Sequence, residues 1–210
     1  MIQEKITQIC QKIGTEVQLL AVSKGQPIEV IQEALNAGQR LFGESRVQEA
    51  EEKFDSLRES YPDIELHMIG PLQTNKAGRA VALFDVIQTL DRPKLAAIVA
   101  QEIKKQGQKG RKPPRLYCQV NIGQETQKAG IATEKVGVFL EQCLQKEGLE
   151  VEGLMAIPPR GQDPVPYFRQ MKMLTDDLSL AKLSLGMSGD FEQAAQCGAT
   201  MVRVGRGVFG

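Results

Sequence analysis

The chain has 210 residues, long enough for one sizeable hydrophobic core and short for two. Hydrophobic residues make up 41% and charged residues 25%, an ordinary globular composition. Lys+Arg and Asp+Glu balance at 26 each, so bulk charge offers no reason to expect nucleic acid or an anionic membrane as partner.

Ile2, Ile6, Ile9 and Ile13 recur at helical spacing, and Gly14 can end this first helix. LLAVSK (19–24) reads as the first strand. Pro27 then opens a helix whose apolar face is Ile28, Ile31, Ala34 and Leu35. RLFGES (40–45) is the second strand, followed by a helix marked by Val47, Ala50, Phe54 and Leu57. IELHMIG (64–70) is the third, with Ala77, Ala80, Val81 and Phe84 on the next helix. DVIQTLD (85–91) is the fourth, and Leu95, Ile98, Val99 and Ile103 follow at helical spacing. GQKGRKPP (107–114) is a loop, and its basic run Lys109, Arg111, Lys112 and Arg115 reads as solvated. RLYCQVNI (115–122) is the fifth strand, LEVEGLMAI (149–157) the sixth, LSLGM (183–187) the seventh and MVRVG (201–205) the eighth. Val136 to Leu144, Phe168 to Leu178 and Phe191 to Ala195 supply the helices between them.

Eight strands alternating with helices predict an α/β fold, a single-domain (β/α)8 TIM barrel over residues 1–210, with a doubly wound open sheet as the alternative. No helix is expected after strand eight, and the extra N-terminal helix would fill the vacant place in the outer ring. MIQEKITQIC lacks the apolar core of a signal peptide, and no apolar run approaches the roughly 20 residues of a membrane span. The four cysteines have no C-x-x-C spacing and read as reduced thiols of a cytoplasmic protein. With His67 the lone histidine, no metal site is expected. No apolar stripe is left over, which makes a monomer the expectation.

Barrel sites gather at the C-terminal strand ends. Lys24 ends strand one. Such a lysine is usually a solvated rim residue; its alternative is a Schiff-base lysine, which needs a neutral amine favoured by an apolar pocket or a nearby cation. Arg203, ending strand eight, would be that cation, since the two strands are neighbours in a closed barrel. GMSGD (186–190) and VGRG (204–207) follow strands seven and eight, where barrels bind phosphate through backbone N–H groups. Ser188 could add its hydroxyl, and Gly205 and Gly207 would allow close backbone approach. Otherwise both loops are simply tight turns. GRGVFG (205–210) also fits G-x-G-x-x-G, but a dinucleotide site is rejected for want of a following helix and acidic residue. His67 is either a general acid/base or a satisfied structural group. Glu44 and Glu49 read as solvated charges at a strand-to-helix junction.

AVSKGQP (21–27), FGESRVQEA (42–50), HMIGPLQTNK (67–76), GLMAIPP (153–159), LSLGMSGDFEQA (183–194) and MVRVGRGVFG (201–210) occur in order across the chain. In these motifs the sequence resembles the pyridoxal phosphate homeostasis protein family. The resemblance implies a fold-type-III barrel similar to the barrel domain of alanine racemase, binding pyridoxal 5′-phosphate (PLP) as an imine on Lys24. It implies that Arg203 approaches the pyridine nitrogen, that Ser188, Gly205, Arg206 and Gly207 hold the phosphate, and that Ser45 and His67 line the pocket. Many members carry Asn at the place of Ser45, and Thr or Ser at the place of Arg206.

The function implied is intracellular vitamin B6 and amino-acid homeostasis without catalytic turnover, with apo PLP-dependent enzymes or a regulatory protein as possible partners. The alternative is a PLP enzyme such as an amino-acid racemase. A racemase needs an acid/base group on each face of a planar intermediate, and Tyr61, Tyr117 and Tyr167 all lie away from the strand ends, so no catalytic residue is assigned.

Overall fold

In a computed structural model describing residues 1–210, the eight strands are β1 (Gln18–Val22), β2 (Leu41–Glu44), β3 (Glu65–Met68), β4 (Val86–Leu90), β5 (Arg115–Val120), β6 (Gly153–Ala156), β7 (Lys182–Ser184) and β8 (Met201–Val204). They form one closed barrel in sequence order, every pairing parallel, with β1 returning to β8. An open sheet is thereby excluded.

The helices are α1 (Ile2–Ile13), α2 (Ile28–Asn36), α3 (Val47–Ser60), α4 (Ala77–Leu83), α5 (Pro93–Gly107), α6 (Val136–Gln142), α7 (Val165–Asp177), α8 (Phe191–Gln196) and α9 (Arg206–Phe209). Helix α1 packs on α2, α8 and α9, so the N-terminal helix does complete the ring. Contrary to expectation, a helix follows β8: α9, one turn long, which packs against α1. The missing helix therefore does not count against a dinucleotide motif at 205–210. What counts against it is that Gly207 N–H in this turn is already bonded to Ser188. No helix is long and apolar enough to cross a membrane.

Strands of a parallel barrel are covered on both sides, which is why their sequences are nearly continuous apolar runs. All of β4, β6 and β8 is buried. Paired residues of neighbouring strands share a face, and alternate residues along a strand face opposite ways. Outward residues such as Ala21, Phe42, Leu66, Ile87 and Val202 join the core with Ile31, Phe54, Val81 and Phe168 of the helices. Inward residues follow the register Leu20–Arg203, Gly43–His67, His67–Val86, Met155–Ser184 and Ser184–Met201. They fill the lumen, where Gln88 Nε2 on β4 reaches Met201 Sδ on β8 at 3.3 Å.

Several strands are shorter than the apolar runs that announce them. β1 stops at Val22, so Ser23 and Lys24 lie just beyond its last residue. β6 is only the second half of its run. The 107–114 loop is less free than its composition suggests: Arg111 Nη2 donates to the Leu83 carbonyl at 3.1 Å, and Arg115 pairs with Glu65 at 2.7 Å. These contacts draw two of the four basic side chains against the barrel.

Candidate functional site

Lys24 keeps the phase of the inward residues Leu20 and Val22, as Ser45 keeps that of Gly43, Ile69 that of His67, and Gly205 that of Arg203. Side chains in this phase leave the strands at the mouth of the lumen. There they border a cavity of about 400 Å³ at the C-terminal end of the barrel. Lys24, Ser45, Ser188, Arg203, Gly205 and Arg206 all line it. Val22, Ile69, Ile157 and Met187 give it apolar walls, and Arg160 adds a further cation. The sequence reading missed Arg160; its only signal was a lone charge in the Pro- and Gly-rich loop after β6.

Arg203 is the most buried of these groups. It is 4% exposed, and its guanidinium donates to Ser184 Oγ at 2.7 Å and to the Ala156 carbonyl at 2.9 Å. Burial pushes its pKa down to about 10, with Asp190 partly opposing, so it remains a cation at neutral pH. The loops after β7 and β8 are joined by one hydrogen bond, from Gly207 N–H to Ser188 Oγ at 3.2 Å. Asp190 accepts from Met187 N–H at 2.6 Å and closes the turn that presents Ser188. A Cβ on Gly207 would meet Val204 Cγ1 at 2.6 Å, so this close approach does require glycine. At Gly205 it does not: a Cβ there would make ordinary contact with the Val22 carbonyl at 3.4 Å.

Immediately behind Lys24 lies a polar network that the sequence reading took for solvated charge. Glu44 is fully buried; it accepts from Ser23 Oγ at 2.7 Å and from Lys53 Nζ at 3.2 Å. Lys53 also reaches the Ser23 carbonyl at 3.1 Å and Glu49 at 2.5 Å. Burial pushes the Glu44 carboxyl up, and the bonds from Ser23 and Lys53 pull it part of the way back. Burial also raises Glu49, but Lys53 and Gly25 N–H outweigh it and leave that carboxyl below the usual range.

His67 is a correction. It does not border the cavity; it lies inside the barrel, one inward step below Ile69. Its Nε2 meets Glu65 Oε1 at 2.7 Å and its Nδ1 meets Gln88 Nε2 at 2.8 Å. Burial pulls its pKa down, so the ring is neutral at pH 7, with Nε2–H donating to Glu65 and Nδ1 accepting from Gln88. This is a satisfied structural histidine. The tyrosines also lie elsewhere: Tyr61 donates to Asn36 at 2.8 Å, Tyr117 is buried in β5, and Tyr167 bonds to Gln162.

The donor set suits a small aromatic aldehyde carrying a phosphate. It offers one primary amine, a buried guanidinium, serine hydroxyls, two more arginines at the rim and apolar walls for a ring.

The comparisons with known proteins agree with this chemistry. The family model for the alanine racemase N-terminal domain matches residues 1–210. The pyridoxal phosphate homeostasis protein of Aquifex aeolicus is 39% identical over 99% of this chain and 93% of its own length. That of Escherichia coli K12 is 36% identical over 100% and 93%. The chain belongs to the pyridoxal phosphate homeostasis protein family.

Among solved structures, PipY of Synechococcus elongatus with PLP bound matches with a TM-score of 0.89 at 36% identity, each chain covered in full. Alanine racemase of Corynebacterium glutamicum shares the fold, with a TM-score of 0.71 at 18% identity over 60% of its length. The family members are thus about as long as this chain, whereas the racemase is considerably longer.

Proposed function

We propose that this protein binds PLP in the cavity at the barrel mouth and serves PLP and amino-acid homeostasis in the cytoplasm without catalytic turnover. The observation that carries the reading is the convergence of Lys24, Ser188 and the buried Arg203 on one cavity. Its support from outside is a PLP-bound relative of equal length and relatives named for PLP homeostasis.

Bound PLP supplies an aldehyde that amines attack and a ring that can draw electron density. Lys24 would provide the amine for a C=N bond to that aldehyde, the two N–H protons and the aldehyde oxygen departing as water. Ser188, Arg206 and the backbone at Gly205 would hold the phosphate, with Ser45 lining the same cavity; the Gly207 N–H is engaged by Ser188 and supports that loop instead. Arg203 is already held by Ser184 and Ala156, so it stays a fixed cation. With the ring nitrogen directed toward it, this cation would disfavour a second positive charge there and weaken the ring as an electron sink.

The reading without turnover is supported by the tyrosines, each engaged away from the cavity. Lys24 would serve one face of a planar intermediate, and no tyrosine lines the cavity to serve the other. Holding a reactive aldehyde in this way limits its free concentration and leaves it available to apo PLP-dependent enzymes.

The test is the visible absorption spectrum of the protein mixed with PLP, followed by borohydride reduction and mass spectrometry. An imine band and a reduced adduct on Lys24 are expected. An adduct scattered over surface lysines would overturn the site. Incubating the loaded protein at catalytic levels with single enantiomers of alanine and serine checks the second half: steady racemisation would make it an enzyme.

A further inference from the structure

The backbone on both sides of Lys24 is held by one cluster of charges. On the N-terminal side, Ser23 Oγ donates to Glu44 at 2.7 Å and the Ser23 carbonyl accepts from Lys53 Nζ at 3.1 Å. On the C-terminal side, Gly25 N–H donates to Glu49 Oε1 at 2.5 Å, and Gly25 adopts a positive φ of 72°. Lys53 Nζ bridges the two carboxylates, at 3.2 Å to Glu44 and 2.5 Å to Glu49. Five contacts, three of them made by the Lys53 ammonium, thus tie the end of β1, the end of β2 and α3 together. Glu44 is 0% exposed, and its second carboxylate oxygen has no partner.

A buried ion pair is an expensive way to gain stability, since desolvation offsets most of its Coulomb energy. Its use lies in geometry: each group can be satisfied in only one arrangement of the chain. Lys24 itself is exposed, with a long flexible side chain. If its backbone could drift, its amine would sweep a large volume, and displacement by about 1 Å can cost a reaction up to about a hundredfold.

We infer that Lys53, with Glu44 and Glu49, is a positioning site that fixes the Ser23–Gly25 backbone, and so sets how fast Lys24 captures and releases the aldehyde of PLP. The inference rests on the proposed PLP site and assigns to these three residues a role in covalent capture, separate from phosphate binding.

The decisive comparison uses two ligands. PLP reports capture through the growth of the imine band. Pyridoxine 5′-phosphate has the same ring and phosphate but an alcohol in place of the aldehyde, so it reports the non-covalent pocket alone. In Lys53→Met, imine formation should slow by roughly tenfold or more, while pyridoxine 5′-phosphate affinity stays within about twofold of the unaltered protein. Lys53→Arg, which keeps a cation and donors, should recover part of the rate. Amide hydrogen exchange at Gly25 and Gln26 should quicken in Lys53→Met in the absence of any ligand. Glu49→Ala, at a half-buried position, removes the Gly25 arm and one of the two carboxylates on Lys53 but leaves the Glu44 and Ser23 contacts, and should give the same pattern more weakly; it decides the matter if Lys53→Met does not fold.

An unchanged capture rate in the variants would overturn the inference and leave the PLP site standing. Equal losses for both ligands would also overturn it, since the network would then support the whole pocket. No imine band in the unaltered protein would remove the PLP reading itself, and the inference with it.

Discussion

The two ends of the barrel treat charge in opposite ways. At the N-terminal end, a cleft of about 450 Å³ is bordered by Arg111, Lys112 and Arg115 and by Asp63, Glu65 and Asp85. There cations and carboxylates neutralise one another: Arg115 binds Glu65 at 2.7 Å, and Asp85 is shared by Arg58 and Arg111. At the C-terminal mouth, Lys24, Arg160, Arg203 and Arg206 face a single carboxylate, Asp190. Charges that pair internally have little left for a ligand, whereas a one-sided set raises the local concentration of an anion. The fold is held together at one end and left electrostatically incomplete at the other.

The strongest way to break this contrast is at Lys24. Lys24→Ala should abolish the imine band and the reduced adduct while PLP still binds reversibly through the Ser188 and Gly207 loops, as equilibrium dialysis would show. If that variant bound no PLP, the phosphate cradle would not exist without the lysine.

Arg203 tests whether a mouth residue can also carry stability. Arg203→Leu leaves Ser184 Oγ and the Ala156 carbonyl without their donor. A loss of about 1–3 kcal/mol is expected from urea unfolding, together with weaker PLP binding. Unchanged stability would mean that those two groups find other partners.

Glu65 carries the corresponding test at the closed end. The hydrogen bond from His67, with help from Arg115 and against its own burial, holds its carboxyl down to about 2 from an ordinary 4.5. A carboxyl depressed by folding stabilises above its unfolded pKa, and that stability fades as pH falls from about 4.5 through about 2. Allowing for its partial exposure and the neutral ring beside it, about 1–2 kcal/mol is at stake. Glu65→Gln should flatten the loss of stability across that window in urea titrations at successive pH values and leave PLP binding unchanged. A PLP affinity that fell with it would dissolve the distinction between the two ends.

The smallest effect is expected at the exposed Arg206. Arg206→Ser should weaken PLP roughly two- to fivefold at low salt, with the difference vanishing at high salt, because a solvated cation is screened.

What the sequence discloses follows the same division. Alternating apolar runs were enough for eight strands and a closed barrel, because strands buried on both faces must be apolar throughout. Strand ends disclosed Lys24, Ser45, Ser188 and Arg203 as mouth residues, since the phase of a strand continues past its last ladder bond. His67 was misplaced because phase alone does not give depth: it shares the inward face of Ile69, but one step lower, where Glu65 and Gln88 occupy both ring nitrogens. Glu44 was misread because nothing local to FGES foretells that Lys53, nine residues on, will fold back over it. A buried charge is legible only when its partner is known.

The return of β1 to β8 has a consequence for how the protein comes into being. Lys24 is translated well before Ser188, Arg203 and Gly207, and β1 lacks one neighbour until β8 exists. At about 5–20 residues per second, most of the chain spends several seconds waiting for its final strand. Over that interval a nascent chain carries Lys24 without Arg203 or the phosphate-side loops beside it. On the proposed reading, PLP is taken up only after β8 closes the barrel, and a fragment that stops short of β8 should bind none.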